Sequence, residues 1–254
     1  MNFPLAQLKK TVRYAFCRLG YDIHRISESS AGLSLEYQPI RSIATYSPWN
    51  IDRPFLEIYQ AILSHTLYDI YRCYEIWSLV EQTQKLEGSL IEVGVWRGGT
   101  GALIAKRAQL CGITDPVYLC DTFTGVVKAS DRDSQYMGGE HSDTSRQTVE
   151  ALVYKDLGLD QVRILEGIFP DETAHLIEQK KFRFCHVDVD VYQSAKDIGE
   201  WIWEKMVVGG IVLYDDYGME TCPGIREYID EQRGSFDRLI VYNLNGHAVI
   251  VKLK

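Results

Sequence analysis

The stretch FRFCHVDVDVYQSAKDIGEWIWEKMVVGGIVLYDDYG, residues 182–218, decides how the rest of the chain is read. It opens on an apolar run that ends in two alternate aspartates, Asp188 and Asp190. A segment with helical spacing follows, then Gly209-Gly210, a second apolar run over 211–214, and the adjacent pair Asp215-Asp216. This is the pattern of strand, helix, strand, with acids at the C-terminal tip of each strand. In an open parallel sheet those tips face the crevice where ligands bind. Asp188 and the Asp215-Asp216 pair are therefore expected side by side on neighbouring strands, with Asp190 on the same strand face as Asp188. Carboxylates crowded in this way repel one another, so either one takes up a proton or a cation sits between them. An all-oxygen ligand set suits Mg²⁺, Mn²⁺ or Ca²⁺ rather than zinc. The plainer alternative is four ordinary solvated acids at strand ends.

Upstream, SLIEVGVWRGGTGALIAKRAQL (89–110) reads as a buried strand over 90–95, a glycine-rich turn over 97–101 and a helix over 102–110. Such glycines let backbone approach a ligand closely and aim helix N-terminal amides at it. The spacing misfits the dinucleotide fingerprint, because Trp96 stands where GxGxxG needs its second glycine. Pyrophosphate is thus disfavoured. About 26 residues further on, VYLCDTF ends a second strand at Asp121, the position of a ribose-binding acid. A glycine turn with a ribose acid and no pyrophosphate loop fits a nucleoside ligand.

The segment 124–148 is polar, contains glycine and is too long for a routine connection, as lids and substrate-binding loops often are. It holds Tyr136, Gly138-Gly139 and His141, the last either an acceptor contact or a surface histidine. Then come a helix over 149–157, a strand over 162–165, a turn at Glu166-Gly167-Ile168 and a helix over 171–179. Beyond the deciding stretch lie a helix over 225–231 and two alternating strands around Asn245-Gly246, a hairpin signal. Ahead of the first strand, 48–86 reads as helical, with an apolar stripe through Phe55, Ile58, Ile62, Leu67, Ile70, Tyr74, Trp77 and Val80. The strands number about seven and alternate with helices, which gives a doubly wound, mostly parallel sheet finished by an antiparallel edge strand.

Residues 1–47 stand apart as a helical extension and linker, leaving 48–254 as one domain. Leu5, Leu8, Val12, Ala15, Phe16 and Leu19, set among Lys9, Lys10, Arg13 and Arg18, make a short basic amphipathic helix. Docking on its own domain or on a second subunit is expected ahead of contact with a membrane surface. Of the 254 residues, 46% are hydrophobic, enough for a large core, yet no run approaches a membrane span. A net charge of -8 argues against nucleic acid as partner. The six cysteines, at 17, 73, 111, 120, 185 and 222, show neither CxxC nor metal spacing. With no signal-peptide pattern, they read as reduced thiols of a cytoplasmic protein.

IEVGVWRGGTG, YLCDTFTG, GGEHSDTS, LEGIFPDE, HVDVDVYQSAKD and GGIVLYDDYG together resemble the class I S-adenosylmethionine-dependent methyltransferases. More closely, the chain resembles the macrocin/mycinamicin/novobiocin sugar O-methyltransferases, over roughly 48–226. That resemblance implies a Rossmann-like seven-stranded sheet with the methyl donor over Glu92, Val93 and Gly94, beside Arg97 and Gly98. Asp121 would meet its ribose, with Thr122 and Phe123 adjoining, and Gly167 and Ile168 would lie near the adenine. Thr66 would touch the methionine end. The resemblance further implies Mg²⁺ on Asp188, Asp215 and Asp216, Asp190 as general base, and a hydroxyl acceptor. From its place in the 124–148 segment His141 is a second catalytic candidate, and a homo-oligomer is the expected assembly. A metal-dependent glycosyltransferase using Asp188-Val189-Asp190 is the first rival, although it leaves the Glu92–Gly94 turn and Asp215-Asp216 unexplained. A phosphotransferase misfits at Tyr192, and a donor-binding protein without turnover leaves the acids idle.

Overall fold

The computed structural model describes residues 44–254, together with Val12, Ala15, Phe16, Arg18, Leu19, Glu36, Tyr37 and Ile40. The chain divides into two compact units, Met1–Ser42 and Ile43–Lys254. In the first, Val12, Ala15, Phe16 and Arg18 are helical and exposed, and the remainder of the amphipathic helix lies outside the described residues.

The second unit is built on a seven-stranded sheet in the order β3-β2-β1-β4-β5-β7-β6. Its strands are β1 (Ser89–Val93), β2 (Val117–Asp121), β3 (Val162–Glu166), β4 (Phe182–Val187), β5 (Met206–Tyr214), β6 (Arg238–Tyr242) and β7 (Ala248–Lys252). The first five pair in parallel, and β7 pairs antiparallel with both β5 and β6. The antiparallel strand is thus one place in from the edge, not at the edge as the sequence suggested. The hairpin returns β7 against β5 and leaves β6 outermost.

Along each inner strand successive side chains enter opposite cores, which is why these strands read as continuous apolar runs. Leu90, Leu119, Phe184 and Leu213 pack against one face, with Phe55, Trp77 and Leu103. Ile91, Cys120, Cys185 and Val212 pack against the other, with Ala195, Ile198 and Ile225. The helices supplying those layers are α1 (Arg53–Ile62), α2 (Ile70–Gln82) and α3 (Gly99–Leu110) on the first face. On the second are α5 (Tyr192–Trp203) and α6 (Pro223–Glu231), while α4 (Arg146–Glu150) precedes β3 and runs into a wider helical turn over Ala151–Asp156.

Several elements differ from the sequence reading. The helix expected over 48–86 is two helices with a break at 63–69. Asp69 restarts the chain by accepting from the amides of Tyr71 and Arg72, and Thr66 Oγ1 accepts from Tyr68 N. These side-chain bonds compete with helical ones, so Leu67 leaves the apolar stripe and is 65% exposed. The helix expected over 171–179 is only a 3-10 turn, Ala174–Ile177. Gly209-Gly210 does not precede β5 but lies inside it, with Gly209 at φ 82° where the pairing with β4 shifts register.

Candidate active site

The sheet order reverses between β1 and β4, and a cavity of about 310 Å³ opens there at the carboxyl ends of the strands. Such a switch point is where open α/β sheets bind ligands. Gly94 makes the close approach of the two strand ends feasible: it sits at φ 87°, and a Cβ there would stand 1.7 Å from the Asp188 carbonyl oxygen. Asp121 shapes the same turn. Its Oδ2 accepts from Val95 N (2.6 Å) and Trp96 N (2.9 Å), and its Oδ1 accepts from Phe123 N (2.6 Å). A carboxylate has about four lone-pair positions, so Asp121 can hold the turn and still accept from a ligand hydroxyl.

Thr66, Val93, Gly94, Asp121, Thr122 and Gly167 line the cavity, as do His141 and the four acids Asp188, Asp190, Asp215 and Asp216. Glu92, Arg97, Gly98, Phe123 and Ile168 are not among its lining residues. Glu92 is fully buried behind the turn, with Oε1 2.9 Å from His186 Nδ1, its register partner on β4. Its Oε2 is buried without a hydrogen-bond partner. Arg97 turns outward to Asp143 (2.6 Å), which also accepts from Trp96 Nε1 (2.8 Å), so the end of the 124–148 segment is tied to the glycine turn.

The acids converge by turning, not by strand alternation. β4 stops at Val187, and Asp190 adopts left-handed backbone at φ 63°. β5 stops at Tyr214, and Asp216 does likewise at φ 59°. One carboxylate oxygen from each of Asp188, Asp215 and Asp216 lies within 4.8 Å of the others. Burial, then the charges of Asp215 and Asp190, pushes the Asp188 carboxyl well above the usual range, although Tyr68 donates to it. Burial and the same crowding push Asp216 up. Asp190 is raised by burial, partly offset by a hydrogen bond from Tyr136 and by the nearby His141. Asp215 goes the other way: against burial, His247 and Arg72 hold it below the usual range. Arg72 Nη1 lies 3.2 and 2.9 Å from its two oxygens.

Asp188, Asp190 and Asp216 are thus left short of positive charge at the cavity, beside Asp215, which Arg72 and His247 hold as an anion. The residues present fit a hard divalent cation bound through oxygen. They also mark what sequence reasoning missed: Tyr68, Arg72, Glu75, His186 and His247 all support this cluster. His186 adjoins the acid motif, but the others carried no local signal.

A doubly wound sheet of seven strands in this order, with a glycine turn at its switch-point cavity, is the Rossmann-like architecture of the class I O-methyltransferases. The family pattern of the macrocin-O-methyltransferases (TylF) matches residues 57–239, and the chain belongs to that family. It is 30% identical over 187 residues to the demethyldecarbamoylnovobiocin O-methyltransferase of Streptomyces niveus, across 68% of this chain and 70% of that one. It is 28% identical over 187 residues to the 8-demethyl-8-(2,3-dimethoxy-alpha-L-rhamnosyl)-tetracenomycin-C 4'-O-methyltransferase of Streptomyces olivaceus, across 68% and 69%. Among solved structures, the O-methyltransferase NovP superposes with a TM-score of 0.66 at 28% identity, covering 75% of this chain and 83% of its own. Family membership makes the chain an O-methyltransferase and takes it out of the glycosyltransferases.

Proposed function

We propose that the chain moves a methyl group from S-adenosylmethionine to a hydroxyl of a sugar-bearing small molecule. A divalent cation, Mg²⁺ ahead of Mn²⁺ or Ca²⁺, is held by Asp188, Asp215 and Asp216, and Asp190 is the general base. The observation that carries this reading is the buried acid cluster opening on the same cavity as Gly94 and Asp121. When bound, S-adenosylmethionine supplies the electrophilic methyl group and the cation supplies a Lewis acid for the acceptor hydroxyl.

The chain's own residues supply the rest. Gly94 gives the donor room against the backbone, Asp121 offers a lone pair to its ribose, and Thr66 and Gly167 border the two ends of that subsite. Asp190 takes the hydroxyl proton as the oxygen becomes nucleophilic. A carboxyl held above its ordinary range by burial is a stronger base than a solvated one. His141, exposed at the cavity and 6.1 Å from Tyr136 between ring centroids, is the second catalytic candidate. The rhamnosyl group in the name of the Streptomyces olivaceus relative supports a glycosylated acceptor.

In this reading 48–254 is the methyltransferase domain and 1–47 an extension to it, in a cytoplasmic homo-oligomer. The test is incubation with methyl-labelled S-adenosylmethionine, Mg²⁺ and paired aglycones and glycosides. Label on the sugar of the glycosides alone is the expected result. Label on aglycone phenols, or on none of the acceptors, overturns the sugar reading.

A further inference from the structure

One fully buried side chain next to the acid cluster has no part in the chemistry above. His247 lies in the turn between β6 and β7, at 0% exposure. Its Nδ1 is 2.6 Å from Glu75 Oε2, and its Nε2 is 2.9 Å from Asp215 Oδ1. The second contact is close but lies outside hydrogen-bond geometry.

The ring is not free to turn. Glu75 also accepts from Asn243 Nδ2 and Asn245 Nδ2, which pins the whole β6–β7 turn to α2. Arg72 and Glu75 are three residues apart and share one face of α2. Arg72 reaches Asp215 directly, while Glu75 reaches it through His247. Asp215 needs such restraint, because Asp188 and Asp216 beside it repel its charge and would drive its carboxylate out of the shared volume. Arg72 alone approaches through a single nitrogen, Nη1, with its Nε spent on Asp69. A second contact, from His247 to Oδ1, restrains the carboxylate further.

We propose that His247, oriented by Glu75, is a positioning residue that holds the Asp215 carboxylate in the pose needed to bind the divalent cation. The proposal rests on the cation reading of the cluster. Groups of this kind, one bond removed from a metal ion, typically change affinity by about 10–100-fold when altered. A residue that merely closes the hairpin would change stability and leave cation affinity alone.

The experiment is calorimetric titration of MnCl₂ into the full chain, comparing wild type, His247→Gln and Glu75→Gln, with S-adenosylmethionine affinity measured separately without metal. His247→Gln is expected to weaken Mn²⁺ binding by about tenfold or more, and Glu75→Gln to weaken it less, with donor affinity unchanged in both. If His247→Gln does not fold, Glu75→Gln decides, since it keeps the side-chain size and an acceptor oxygen. Mn²⁺ binding that is unchanged or tighter in a folded variant overturns the proposal. Failure of the wild type to bind Mn²⁺ is a different result: it removes the cation reading itself, and the proposal with it.

Discussion

Asp190 is the residue whose chemistry depends most on its backbone. Left-handed geometry at a non-glycine costs roughly 1–2 kcal/mol, and here φ 63° turns the carboxylate into the cavity just past the end of β4. Asparagine tolerates this conformation as well as aspartate does, so Asp190→Asn should fold while losing the base. Its kcat is expected to fall by about 10²–10⁴-fold with S-adenosylmethionine affinity unchanged, by initial rates and calorimetry; an undiminished kcat would remove Asp190 from the proton transfer. The four acids and Asp121 were legible in the sequence because each follows an apolar run, and strand ends of that kind meet at one edge of a parallel sheet. Arg72 was not legible, being 143 positions from Asp215, and neither was Glu75, 172 from His247. Nothing in a helix's own spacing says which distant carboxylate its polar face will meet. Glu92 shows the converse: its segment was read as a strand over 90–95 and is one over Ser89–Val93, but its side chain pairs with His186 and does not line the cavity.

Element boundaries were decided by capping chemistry as much as by apolar period. Asp52 shows how much one such residue can carry. Its Oδ1 accepts from Phe55 N at the start of α1, and its Oδ2 accepts from the indole Nε1 of fully buried Trp77 on α2. Asp52→Ala removes a cap worth about 1 kcal/mol and orphans a buried donor at a further cost of about 1–3 kcal/mol. Urea unfolding should show a loss of about 2–4 kcal/mol on those grounds, and an unmoved midpoint would mean that the two helices are tied by packing alone. The apolar stripe over 48–86 was real on both helices, since Phe55, Ile58, Ile62, Trp77 and Val80 are all buried. What the period could not show was the interruption, because Asp69 and Thr66 act through local side-chain bonds. That interruption matters for function: it brings Thr66 and Tyr68 to the cavity wall. The hairpin, by contrast, was plain in Asn245-Gly246, and Gly246 does take φ 113°.

At the scale of the molecule, alternation of strand and helix gave the architecture, and the two cores on either face of the sheet follow from strands that are apolar throughout. The placement of β7 inside β6 lay beyond it, because a hairpin signal fixes the pairing of two strands but not which of them joins the sheet. Among the described residues, no helix is long and apolar enough to cross a membrane. The sheet brings Gly94, Asp121 and the acid cluster to one cavity. The claim that most needs testing is that the cluster works through a bound cation. The measurement is the initial rate of methyl transfer to a glycoside acceptor as free Mg²⁺ is raised from a chelated zero. No transfer is expected without the cation, a saturable rise with it, and no recovery in Asp216→Asn at the concentration that saturates the wild type. Transfer at full rate in excess chelator would contradict it.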